Sequence, residues 1–113
     1  MEAFTDLEQS KKLTEILPLE SADFFWIIGH LHTDGPRYEI IRPRNEVSDV
    51  EKYWPCWSVA ALLDVFSKVD DYFESWCDHG DWHLAVAIYE TESRSLVEAC
   101  YEMIVILHKE KLL

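Results

Sequence analysis

Hydrophobic positions recur at helical spacing in two stretches of the chain. Val59, Leu62, Leu63 and Phe66 fall at i, i+3, i+4 and i+7 behind Ser58, a residue type that caps helix starts, and predict a helix over Ser58 to Lys68. Ser95-Leu96-Val97-Glu98 has the form of a capping box, and Leu96, Ala99, Cys100, Met103, Ile104 and Leu107 make one apolar face behind it. His108, Lys109 and Lys111 then place cations at the negative pole of the helix dipole. Each stripe must leave water, so both helices are expected to pack on a sheet. A third, more polar helix is predicted from about Asp6 to Ile16. Thr5-Asp6-Leu7-Glu8 opens it with Thr5 as the cap, its stripe is only Leu7, Leu13, Ile16 and Leu17, and Pro18 stops it.

Elsewhere the pattern is that of strands. Phe24 to Ile28, within Ala22 to Leu31, is an aromatic and β-branched run suited to a buried central strand. Thr33-Asp34-Gly35-Pro36 supplies turn chemistry, and Arg37 to Arg42 resumes an extended pattern, which predicts a hairpin. Arg44 to Lys52 reads as a surface loop leading to the aromatic knot Tyr53-Trp54-Pro55-Cys56-Trp57. A second hairpin is predicted from Tyr72 to Trp76 and Trp82 to Tyr89, flanking a loop at Cys77-Asp78-His79-Gly80-Asp81. In its second strand Trp82, Leu84, Val86 and Ile88 share one face, and His83, Ala85, Ala87 and Tyr89 the other. The order α-β-β-α-β-β-α predicts an α+β fold, an antiparallel sheet from two hairpins packed with helices, in a single domain over residues 1–113. The sequence shows no internal repeat.

Charge narrows the partners. Twenty-two Asp and Glu against 10 Lys and Arg give a formal charge of -12, which opposes direct binding to nucleic acid or to an anionic membrane. Hydrophobic residues are 49% of the chain, ample for a core, yet no apolar run approaches the roughly 20 residues of a membrane span. Three cysteines, Cys56, Cys77 and Cys100, are widely spaced and odd in number, which fits a reducing compartment. The first residues lack a basic segment followed by an apolar one, so a cytoplasmic protein is expected.

Several strings carry a resemblance. Leu7 to Leu13, Leu17 to Asp23 and Pro55-Cys56-Trp57-Ser58-Val59-Ala60-Ala61-Leu62-Leu63, with Val97-Glu98-Ala99 and Glu102-Met103, resemble a family of small uncharacterised acidic proteins of gut-bacterial prophage-like and other mobile elements. The resemblance touches the beginning, middle and end of the chain, and not His30 to Val50 or Cys77 to His83. It implies a setting, and no activity.

Candidate chemistry is sparse. Cys77, His79 and His83, with His30 and His32, are metal-capable, but their spacing matches no zinc pattern, and a small metal-binding protein built on Cys77, His79 and His83 stands as a second alternative. Cys100 lies on an apolar helix face and Cys56 is wedged between Pro55 and Trp57. That leaves Cys77 as the one candidate nucleophile, in acidic and not electropositive surroundings. Gly29, Gly35 and Gly80 are isolated, so no phosphate loop forms. No enzyme activity, cofactor or metal is expected.

The charge itself is the unusual feature. Asp64, Asp70, Asp71, Glu74, Asp78 and Asp81 stand against Lys68 alone between positions 64 and 81. A solvated face explains this blandly. The functional expectation is a non-enzymatic accessory protein that works through protein contacts, with Asp70, Asp71, Glu74, Asp78 and Asp81 meeting a basic partner. The alternative is an acidic mimic of nucleic acid that blocks a host DNA-binding or defence enzyme. Trp54, if exposed, would mark a partner or homodimer interface.

Overall fold

The computed structural model describes residues 3–30, 37–47 and 54–113. The fold is α+β: among the described residues there are three α-helices and two antiparallel three-stranded sheets in the order α1 (Leu7–Thr14), β1 (Phe24–His30), β2 (Arg37–Pro43), β3 (Trp54–Cys56), α2 (Val59–Ser67), β4 (Glu74–Asp78), β5 (Asp81–Val86), β6 (Tyr89–Ser93), α3 (Leu96–Lys109). The two hairpins do not merge into one sheet. Each gains a short third strand instead, giving β2-β1-β3 and β4-β5-β6. The expected turn at Thr33-Asp34-Gly35-Pro36, His32 and Tyr53 lie outside the described residues.

In the first sheet β1 is central, paired with β2 from Phe24↔Pro43 to His30↔Arg37 and with β3 from Phe24↔Cys56 to Trp26↔Trp54. Its apolar residues on both faces are used. Phe25, Ile27 and Val47 form a small cluster with Ile40. On the opposite face Phe24 meets Phe4 edge-on at 4.7 Å, and the Trp26 indole N–H donates to the Thr5 carbonyl at 3.3 Å.

The α1 helix starts one residue later than the sequence suggests. Asp6, not Thr5, is the cap: its carboxylate accepts from the Gln9 N–H at 2.7 Å, and the Gln9 side chain accepts from the Asp6 N–H at 3.0 Å. Thr5 is drawn inward instead. Its hydroxyl is fully buried, 2.8 Å from the Ser10 hydroxyl, and accepts from the Trp57 N–H at 3.2 Å. A hydroxyl engaged in the interior with the Ser10 hydroxyl, the Trp57 N–H and the Cys56 sulfur is not free to cap a surface helix.

The main core joins the helices to the second sheet. Trp57, Leu62, Phe66, Leu84, Val86, Val97, Cys100, Met103, Ile104 and Leu107 pack together, all fully buried. The α3 helix lies over the inner face of β5 and β6, as its stripe predicts. The α2 helix differs from expectation: it packs on α3, and its Leu63 is only partly buried. Ser58 caps α2 by accepting from the Ala61 N–H, and Asp23 holds Ser58 in turn through both its backbone N–H, at 2.9 Å, and its hydroxyl.

Two tight turns shape the second sheet. His79 and Gly80 both have positive φ, 53° and 86°, the pattern of a two-residue I′ turn. The expected loop from Cys77 to Asp81 therefore shrinks, with Cys77 and Asp78 in β4 and Asp81 opening β5. The expected strand from Trp82 to Tyr89 is broken at Ala87 and Ile88, where the chain reverses into β6 with Val86 opposite Tyr89. Ala87 sits at φ 55°, a conformation that glycine takes more cheaply. Asp70 holds it there: its carboxylate accepts from the Ala87 N–H and from the Tyr72 N–H, each at 3.0 Å.

Ala87→Gly should therefore stabilise the protein by about 0.5 to 1 kcal/mol, because relief of left-handed strain exceeds the added freedom of the unfolded chain. The measurement is the urea midpoint at unchanged m-value. A lower midpoint would mean that the Asp70 clamp already removes the strain.

Candidate interaction face

The β4-β5-β6 sheet has a covered face and an open one. Alternation sends Leu84, Val86 and Thr91 inward under α3, where the Thr91 hydroxyl donates to the Ala99 carbonyl at 2.9 Å. Register then fixes the opposite face. The pairs Glu74↔Ala85, Trp76↔His83 and Asp78↔Asp81, continued by His83↔Glu92 and Ala85↔Glu90, put these side chains together outside. Apart from one another, the main neighbour of these strands is α3, on the covered face.

Its centre is an aromatic pair. The Trp76 and His83 rings stack at 5.2 Å with only 3° between their planes. His83 is largely covered, with Nδ1 3.8 Å from the Glu90 carboxylate and Nε2 4.0 Å from that of Glu92. Trp76 keeps 39% of its surface exposed. Glu74, Asp78, Asp81, Glu90 and Glu92 surround the pair, and β4, β5 and β6 contain no Lys or Arg. Asp78 and Asp81 stand directly opposite each other, an arrangement that costs stability. The His79 ring, 2.6 Å from the Asp78 carboxylate, offers local relief at the turn.

The residues singled out from sequence divide three ways. Glu74, Asp78 and Asp81 come together on this face. Asp71 lies exposed in the preceding turn, and Asp70 is committed to the two backbone amides described above. Trp54 is in the other sheet, half-buried opposite Trp26, with the Lys11 ammonium 5.8 Å from its ring centre. The exposed aromatic beside the carboxylates is Trp76. Sequence reasoning missed Glu90, Glu92, Trp76 and His83 as members of the face. The signal for the glutamates was the alternation in Tyr89-Glu90-Thr91-Glu92-Ser93.

Cys77 and His83 do not converge on a common site. Cys77 is opposite Trp82 and thus on the other face from His83, and among the described residues no group of three His, Cys, Asp or Glu is placed to hold a metal ion. Cys56 and Cys100 are buried, and burial pushes their thiols up, to about 11 for Cys56 despite hydrogen bonds from Thr5 and Ser10, and to about 12 for Cys100. Neither provides a thiolate near neutral pH. A cleft of about 790 Å³ lies elsewhere, lined by Ala3, Val59, Trp82, Arg94, Ser95, Leu96 and Glu98. Its Ser95 hydroxyl accepts from the Glu98 N–H as the cap of α3, and the Glu98 carboxylate accepts from Ser93.

Comparison with protein-family models, curated proteins and solved structures finds no match. Among the described residues, no helix is long and apolar enough to cross a membrane.

Proposed function

We propose that this chain is a non-enzymatic interaction protein whose open β4-β5-β6 face binds a basic protein segment. The observation that carries the reading is the stacked Trp76 and His83 pair set among Glu74, Asp78, Asp81, Glu90 and Glu92 with no Lys or Arg in the three strands. Opposed carboxylates cost stability in the free protein, and a cationic partner offsets that cost. An aromatic surface at the centre gives such a partner a desolvated contact, as interface centres commonly have. A phosphate mimic has no need of that centre, so Trp76 supports a peptide partner over the mimic. The resemblance to proteins of mobile elements supports an accessory role.

The test is titration of an arginine-rich peptide by calorimetry. Binding should weaken steeply with added salt, since the Debye length is only about 8 Å at physiological ionic strength. A variant carrying Glu74→Gln, Asp78→Asn, Glu90→Gln and Glu92→Gln should bind at least about tenfold more weakly, which is only 1.4 kcal/mol spread over four charges. It should fold normally, because all four side chains are exposed. Affinity indifferent to salt and to these substitutions would overturn the reading.

A further inference from the structure

The β4 strand is an edge. It pairs with β5 and with no other strand among the described residues, and all of its residues are exposed. The two-residue turn makes Asp78 and Asp81 a hydrogen-bonded pair, and the antiparallel ladder alternates from there. Glu74, Trp76 and Asp78 thus direct their backbone groups at β5, while Ser75 and Cys77 direct theirs away from the sheet. An edge with such groups is a template for another strand. We infer that β4 receives an extended segment of a partner protein as an antiparallel fourth strand, with Arg or Lys at alternate positions on the side of Glu74, Trp76 and Asp78. The inference rests on the proposed function and adds the mode of binding and the partner's sequence pattern.

Charge selects the occupant. A second copy of β4 laid antiparallel about Trp76 would oppose Glu74 to Asp78 and Asp78 to Glu74, and like charges directly across strands repel. A segment with cations opposite Glu74 and Asp78 forms two ion pairs instead. The cation between them lies over the indole face that His83 leaves open, a position suited to a cation–π contact. The spacing agrees, because alternate residues on any strand repeat at about 6.6 to 6.8 Å. The intervening positions face Ser75 and Cys77, small side chains that accept β-branched residues such as threonine.

The probe is a blocked, fluorescent Arg-Thr-Arg-Thr-Arg peptide titrated against the full chain at constant ionic strength, followed by anisotropy. Two further versions keep the same charge, one N-methylated on both threonine amides and one on the second and third arginine amides. In the antiparallel register the threonine amides face Ser75 and Cys77, whereas the arginine amides point away from β4. Methylated threonines should weaken binding by about tenfold or more through loss of two hydrogen bonds, and methylated arginines by less than about twofold. Equal affinity of all three peptides would overturn strand addition and leave charge-driven binding to the face intact. Greater loss from the methylated arginines would overturn the antiparallel register. Failure of every version to bind would overturn both the inference and the proposed function.

Discussion

Trp57→Ala is expected to lower the unfolding free energy by about 3 to 5 kcal/mol, a large share of the roughly 5 to 15 kcal/mol that a domain of this kind has. Trp57 is the largest fully buried side chain among the described residues. It stands where β3 turns into α2, and its backbone joins the N-terminal segment, since its carbonyl accepts from the Thr5 N–H at 3.0 Å. Its indole N–H donates to the Ser21 hydroxyl at 2.9 Å, tying the core to the turn before β1. Alanine would empty the space that the indole fills among Leu13, Leu62 and the α3 residues and remove that hydrogen bond, leaving the Ser21 hydroxyl only its bond to the Pro18 carbonyl. Trp57→Phe keeps most of the volume and should cost about 1 to 3 kcal/mol. Urea denaturation of the three proteins checks the order. A loss below about 1 kcal/mol for alanine would show that the site collapses without a cavity.

Thr5→Val should cost about 2 to 4 kcal/mol although it is nearly isosteric, because the loss is one of hydrogen bonds and not of packing. The Thr5 hydroxyl accepts from the Trp57 N–H, meets the Ser10 hydroxyl and donates to the Cys56 sulfur at 3.7 Å. Valine leaves the first two without that partner in a site closed to water. Thr5→Ser retains the oxygen and should lose only about 1 kcal/mol for the missing methyl. Adding Ser10→Ala to Thr5→Val should cost less than the two single changes summed, since one orphaned hydroxyl then disappears. Strict additivity of the pair would remove the coupling claimed for this hub.

The difference between expected and observed structure is concentrated at the second sheet, where one reversal has a local signal and the other has none. His79-Gly80 gives the two positive φ values that a I′ turn needs, so the first reversal was legible. Ala87-Ile88 has no such chemistry, and Trp82 to Tyr89 alternates through it without interruption. The reversal there is made by Asp70, seventeen residues away, whose carboxylate accepts from the Ala87 N–H. A long-range hydrogen bond of this kind leaves no periodic trace. Because that turn was hidden, β6 was hidden, and with it the two glutamates that complete the acidic face. The same cause hid that the Asp70 carboxylate is turned onto two backbone amides.

By itself the sequence determined the α+β class, the first hairpin, the capped starts of α2 and α3 and most of the buried stripe of α3. These depend on propensity, capping and period, all carried by residues within a few positions of one another. It also determined that the chain is acidic and that positions 69–93 lack any Lys or Arg. The tertiary structure alone decided which acids act together, because a face of a sheet is defined by register between strands. Only register sets Glu74 beside Ala85 and Glu90, stacks Trp76 on His83, and sends Cys77 to the opposite side. It likewise decided that the two hairpins build separate sheets, since what joins or separates strands is how the whole core excludes water, a non-local quantity that no short window of sequence contains.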